Sequence, residues 1–210
     1  MRLPGYRRDT DRAYRSHGPV CLLIGSGGMP VDAARLLLRG GFDLAGVHSP
    51  DVPLREYADA EGLPFIPAFD AFRTWAETIS YDYLFSVRNL RVLPASMIDA
   101  PNICAINYHD SPLPKYAGSH ATAWALANGE PTHGITWHVM TEKVDAGDLL
   151  QQVVFPVAPG TTREQLDLRC SLTAMRAFRA LLPQLATETF TRTPQDLSQR
   201  TFYSLSQRPL

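Results

Sequence analysis

Asn107 and His109 flank Tyr108, and Asp145 follows later in the turn Val144-Asp145-Ala146-Gly147-Asp148. Side chains two apart on a strand project from the same face, so an extended segment aims the amide and the imidazole at one point. A following strand and loop can bring Asp145 to them. The three supply a hydrogen-bond donor, a titratable ring and a carboxylate that tunes it, which are the parts needed to stabilise a developing oxyanion and manage one proton. Each has an ordinary explanation alone. A lone histidine at the end of an apolar strand is usually a satisfied core side chain, and an aspartate in Asp-Ala-Gly is usually a turn residue. Only the conjunction argues for chemistry, helped by Pro112-Leu113-Pro114, which fixes the loop beyond His109, and by Gly118, which permits close approach of a ligand.

The elements that must position these residues read as alternating strands and helices. Val20-Cys21-Leu22-Leu23-Ile24 is a continuous apolar run ending in Gly25-Ser26-Gly27-Gly28, followed by a helical segment Val31 to Arg39 and a strand Phe42 to Val47. Helices at Leu54 to Glu61 and Asp70 to Ile79 bracket a short strand at Leu63 to Ile66, and Tyr83-Leu84-Phe85-Ser86-Val87 is the next strand. Pro101 to His109 is apolar until its polar C-terminal end, where ligands of open α/β sheets sit. Ala121 to Asn128 is a short helix stopped by Gly129, and Gly134 to Met140 with Leu149 to Val157 form a hairpin. Thr161-Thr162-Arg163-Glu164 has the form of a capping box. Leu168, Leu172, Met175, Phe178, Leu182 and Leu185 then mark the apolar face of a long helix that meets Pro183. This order predicts an α/β fold with a mainly parallel sheet and helices on both faces.

Composition sets the frame. The 210 residues are 45% hydrophobic and 20% charged, as in one globular domain of ordinary size. Twenty Lys and Arg against 21 Asp and Glu leave a net charge of -1, so no broad phosphate-binding surface is indicated and no nucleic-acid partner is expected. Cys21, Cys104 and Cys170 are far apart and include no Cys-x-x-Cys pair, which argues against a disulfide framework or a metal site. With no apolar run of membrane length and no signal-peptide core, a cytoplasmic protein without membrane partners is expected. Residues 1–19 carry five arginines and no apolar periodicity and read as a polar tail, and residues 191–210 read as a polar extension.

The glycine turn after the first strand invites a dinucleotide reading, because glycines let backbone approach a pyrophosphate at a helix N-terminus. The second strand, however, ends Val47-His48-Ser49-Pro50, with no acid at its tip for a ribose. A tight strand-to-helix turn is the simpler reading.

Taken together, Asn107-Tyr108-His109-Asp110-Ser111-Pro112-Leu113-Pro114-Lys115-Tyr116-Ala117-Gly118, Trp124-Ala125-Leu126-Ala127-Asn128-Gly129-Glu130, His133-Gly134-Ile135-Thr136 and Asp145-Ala146-Gly147-Asp148 resemble the 10-formyltetrahydrofolate-dependent formyltransferases. The likeness runs from about Val20 to Thr189 and is densest between Tyr81 and Gln152. It implies the Rossmann-like N-terminal catalytic domain of that family over residues 20–190, with Asn107, His109 and Asp145 catalytic. It further implies that the pterin of the 10-formyltetrahydrofolate co-substrate meets Leu90-Arg91-Val92-Leu93 and Thr141-Glu142-Lys143-Val144, with no metal. The family commonly has Ser-Leu-Leu-Pro where Ser111-Pro112-Leu113-Pro114 stands here, and Arg-Gly where Ala117-Gly118 stands. Within the family, the wording from His109 to Gly118 and from His133 to Met140 is most similar to formylation domains of nonribosomal peptide synthetases. The expected partners are therefore a small-molecule or carrier-tethered primary amine and peptide synthetase modules. Methionyl-tRNA formyltransferases carry a further C-terminal domain, and the chain stops near where that would begin.

The chemistry so implied is direct attack of an amine on the formyl carbon. Asn107 and a protonated His109 would donate hydrogen bonds to the developing oxyanion, one such donor being worth about 10² to 10³ in rate. Asp145 would favour the imidazolium and take the amine proton, with no covalent intermediate. Two alternatives stand beside transfer: hydrolysis of 10-formyltetrahydrofolate, as in folate deformylases, and a folate- or nucleotide-sugar-binding module without catalysis.

Overall fold

The computed structural model describes residues 18–209, so the expected tail, apart from Gly18 and Pro19, lies outside the described residues. The described residues divide into two compact units, 18–105 and 106–209.

In the first unit β1 (Val20–Gly25) leads through a glycine turn into α1 (Met29–Arg39) and β2 (Asp43–His48). Then come α2 (Val52–Glu61), α3 (Phe69–Ala76), β3 (Tyr83–Val87) and the single turn α4 (Ala95–Ile98). β1 pairs in parallel with both β2 and β3. Leu22, Leu23, Ile24, Val47, Leu84 and Phe85 are all buried. Continuous burial along a strand means both of its faces are covered, which explains why these segments read as unbroken apolar runs. Gly25 is required by packing, because a Cβ there would run into the Val87 carbonyl. In that turn the Gly27 N–H is already taken, donating to Asp51 Oδ2 at 2.8 Å.

Two expected elements come out shorter. Leu63 to Ile66 makes only one bridge, Phe65 to Val47, because Pro64 and Pro67 have no N–H to continue a ladder. The helix predicted to Ile79 stops at Ala76, where Thr78 turns back to give both its N–H and its hydroxyl to the Trp75 carbonyl.

The second unit begins within β4 (Cys104–His109) and continues through the two-residue β5 (Ala117–Gly118), α5 (Ala121–Ala127), β6 (Thr132–Val139), β7 (Leu149–Pro156), α6 (Arg163–Ala186) and β8 (Phe202–Tyr203). β6 pairs antiparallel with β4 and with β7, so the expected hairpin is present. β5 pairs in parallel with β8.

The capping box sits one residue later than expected: Thr162 is the N-cap and exchanges hydrogen bonds with Gln165. The buried stripe of α6 holds Phe178, Leu182 and Leu185 as expected but differs in the first half of the helix. Leu166, Cys170, Ala174, Ala177, Phe178, Leu181, Leu182 and Leu185 face inward, while Leu168 and Leu172 are 60% and 53% exposed. Small residues on the inner face let the helix come close to β6. There Trp137 stacks on Phe178 with ring centroids 4.4 Å apart and donates its indole N–H to the Ala174 carbonyl at 3.1 Å. Residues 191–209, expected as an extension, lie within this second unit.

Candidate active site

Pairing of β4 with β6 sets Asn107 opposite His138 and His109 opposite Thr136. Directly opposed residues on paired strands share a face, so the amide and the His138 ring meet without any help from a loop. Asn107 Nδ2 donates to His138 Nε2 at 3.2 Å. The other ring nitrogen, Nδ1, lies 2.9 Å from the Val139 carbonyl. A carbonyl only accepts, so Nδ1 carries the hydrogen and Nε2 presents the lone pair that the amide needs. The same reasoning fixes His109, whose Nε2–H donates to the Tyr116 carbonyl at 2.7 Å.

Asp145 arrives on the turn after β6 in a left-handed conformation, φ 52°, which a non-glycine residue holds only when its surroundings demand it. The Gly118 N–H donates to its Oδ2 at 2.8 Å. That oxygen is 3.6 Å from His109 Nδ1, and Oδ1 is 3.4 Å from His138 Nε2. One buried carboxylate therefore faces two imidazoles. Burial alone would push the Asp145 carboxyl up, but the charge of His109, the adjacent His138 ring and the hydrogen bond from the Gly118 N–H hold it well below the usual carboxylate range. Burial likewise opposes charge on His109. The Asp145 and Asp110 carboxylates and the Tyr116 carbonyl outweigh it and raise the imidazole above its ordinary value.

The loop between β4 and β5 is fixed from several sides. Thr136 donates to the Ser111 carbonyl at 2.7 Å and accepts from the Leu113 N–H at 3.2 Å and Gln152 Nε2 at 3.0 Å. The Tyr116 hydroxyl donates to Glu130 at 2.6 Å and is pushed up to about 12, by burial first and then by that carboxylate. His109, His138 and Asp145 are all buried, whereas Asn107 is only half-buried. The amide is thus the group of the four most open to a reactant.

The segments expected to hold the pterin fall in different units. In the first, Leu90 and Val92 are 79% and 73% exposed while Leu93 is buried, and the Arg91 guanidinium lies 4.3 Å over the Phe69 ring. The Asn89 side chain closes the turn by bonding both the N–H and the carbonyl of Arg91. Exposed apolar side chains on a fixed turn suit a flat ring system. In the second unit Thr141, Glu142 and Lys143 are exposed and Val144 is half-buried, with Thr141 Oγ1 donating to the Lys143 carbonyl at 3.0 Å. Among the described residues no group of three or more His, Cys, Asp or Glu could hold a metal ion.

Sequence reasoning placed Asn107, His109 and Asp145, and the structure brings all three together. It missed His138, although Thr136 and His138 recur at strand spacing in an otherwise apolar segment, which was the available signal. Nor did it point to Gln195 and Arg200, whose side chains donate to the Asp145, Gly147 and Val144 carbonyls.

The description "Formyl transferase" belongs to the family model that matches residues 70–181, more than half of the chain. A methionyl-tRNA formyltransferase of Koribacter versatilis is 32% identical over 154 residues, covering 71% of this chain and 49% of the relative. One from Lysinibacillus sphaericus is 29% identical over 200 residues, covering 87% and 64%. The chain thus spans about half to two thirds of the length of these relatives. Among solved structures, glycinamide ribonucleotide transformylase 1 from Symbiobacterium toebii superposes with a TM-score of 0.74 at 23% identity, over 89% of this chain and 98% of that one. An N-formyltransferase from Helicobacter canadensis, in complex with folinic acid and dTDP-3-aminofucose, gives 0.74 at 18% identity over 89% and 71%. These likenesses establish the Rossmann-like α/β fold, and with the family match the chain belongs to the formyl transferases.

Proposed function

We propose that the chain transfers a formyl group from 10-formyltetrahydrofolate to a primary amine. The observation that carries this reading is the shared carboxylate: Asp145 lies between His109 and His138, beside an Asn107 amide that retains one unpaired N–H. The folate co-substrate supplies the formyl group on an amide-like nitrogen. Asn107 uses its remaining N–H to hold the formyl oxygen as negative charge develops there. His109 adds positive charge from behind, and the formyl oxygen competes with the Tyr116 carbonyl for its Nε2 proton. Asp145, ionised and oriented, receives the proton that the amine loses on attack; the bond from the formyl carbon to the folate nitrogen then breaks, and that proton passes to the departing nitrogen.

The segments Leu90–Leu93 and Thr141–Val144 are proposed to contribute to folate binding, residues 20–190 to form the catalytic domain, and the site to work without a metal. For the acceptor, a small molecule or an aminoacyl group tethered to a carrier protein of a peptide synthetase is favoured over a nucleic acid, on the near-neutral charge and the wording of the His109 and His133 motifs. The burial of Cys21, Cys104 and Cys170 is in keeping with a cytoplasmic setting. The test is mass spectrometry of a panel of amines incubated with protein and 10-formyltetrahydrofolate. Transfer gives a formylated amine; folate product formed equally without any amine indicates hydrolysis instead.

A further inference from the structure

The turn that carries Asp145 is held by its backbone, and the side chains that hold it come from the C-terminal segment. Gln195 Nε2 donates to the Asp145 carbonyl at 3.1 Å and to the Gly147 carbonyl at 2.6 Å. Arg200 Nη2 donates to the Val144 carbonyl at 2.9 Å. Three carbonyls of one short turn are thus fixed by two side chains well downstream. The same segment also grips the partner of the carboxylate. Phe202–Tyr203 pairs with Ala117–Gly118, the Gly118 N–H binds Asp145 Oδ2, and the Tyr116 N–H, whose residue supplies the carbonyl for His109, donates to Thr201 Oγ1 at 2.7 Å. Tyr203 is anchored in turn by stacking on Trp124, with centroids 4.2 Å apart. At its start the segment is tied to β7 through Leu149 and Thr193, which exchange backbone hydrogen bonds at 2.8 and 2.9 Å.

We propose that Gln195 and Arg200 are positioning residues for Asp145, fixing its left-handed turn so that the carboxylate stays between His109 and His138. The turn needs such fixing, since a non-glycine residue at φ 52° relaxes toward commoner backbone angles once its anchors go. Relaxation would swing the carboxylate away from both rings, and misplacement by about 1 Å at a reacting centre costs on the order of 10²-fold in rate. The consequence for rate rests on the formyl-transfer reading above; the consequence for His109 does not. The charged and titratable groups facing that ring are Asp145, Asp110 and His133, and of these Asp145 sits on the turn that Gln195 and Arg200 hold.

The experiment compares wild type with Gln195→Ala/Arg200→Ala and with Arg200→Lys, reading kcat, KM and the NMR titration of the His109 ring. The double variant should lose about tenfold to a hundredfold in kcat with KM for both substrates little changed. Its His109 ring should titrate at lower pH than in wild type, and Arg200→Lys should recover much of both. Should the double variant not fold, Gln195→Ala alone gives the same comparison in smaller measure. A lower Tm with kcat and the His109 titration unchanged would show a purely structural role and overturn the proposal. If wild type formylates nothing, the function reading fails, while the His109 titration still decides this one.

Discussion

His138 Nε2 stands 3.4 Å from Asp145 Oδ1 while accepting a hydrogen bond from Asn107 Nδ2 at 3.2 Å, so one ring nitrogen faces a donor and a carboxylate at once. That ring nitrogen is the acceptor that aims the Asn107 amide, and the carboxylate lies beside it.

His138→Phe should leave the Asn107 amide without its acceptor and lower kcat by about tenfold to a hundredfold, since a misaimed group costs rate rather than binding. His138→Gln, whose side-chain carbonyl can accept from the amide, should retain more activity. Steady-state kinetics on both variants checks the order; equal activities would remove the orienting role.

The pH dependence of stability follows from the two shifted groups. Asp145 is lowered in the folded protein, so its contribution is present above the ordinary carboxylate pKa of about 4 and is lost as pH falls through its lowered folded value. His109 is raised, so its contribution is complete below about pH 6.5 and is lost as pH rises through its folded value. Thermal unfolding from weakly acid to strongly acid pH should therefore show a falling Tm that is flatter in Asp145→Asn. A variant curve parallel to wild type throughout the acid range would contradict the assignment.

Gly118 has φ 92°, and a Cβ on it would run into the Tyr203 carbonyl and the Phe202 ring. Gly118→Ala should therefore strain the backbone, part β5 from β8 and shift the N–H that holds Asp145. A loss of about 1–3 kcal/mol in stability together with a fall in kcat is expected, read by chemical denaturation and kinetics.

In the core, Trp137 is fully buried, stacked on Phe178 and hydrogen-bonded to Ala174. Trp137→Ala should cost about 3–5 kcal/mol, measurable by urea unfolding. A loss under 1 kcal/mol would show that this contact does not hold α6 to its sheet.

Much of this was legible in the chain because its signals are local. The alternation of Asn107 and His109 on a strand, the apolar run of β1 and the turn at Asp145 each follow from neighbours in sequence. The face of α6 was misjudged only in its first half, because Leu168 and Leu172 outweigh Ala174 and Ala177 in any count of apolar side chains, although close helix packing selects the small ones. His138 required knowing which strand pairs with β4, and in what register. Gln195 and Arg200 act on backbone carbonyls, for which any polar side chain with an N–H qualifies, so nothing in their identity announced the contact.

The most direct measurement is single-turnover formylation of an accepted amine by wild type, Asn107→Ala, His109→Ala and Asp145→Asn, each shown folded by its thermal transition. The account predicts rapid appearance of formylated amine with wild type and losses of about 10² or more in rate with each variant. Wild-type rates in a folded Asp145→Asn protein would contradict it.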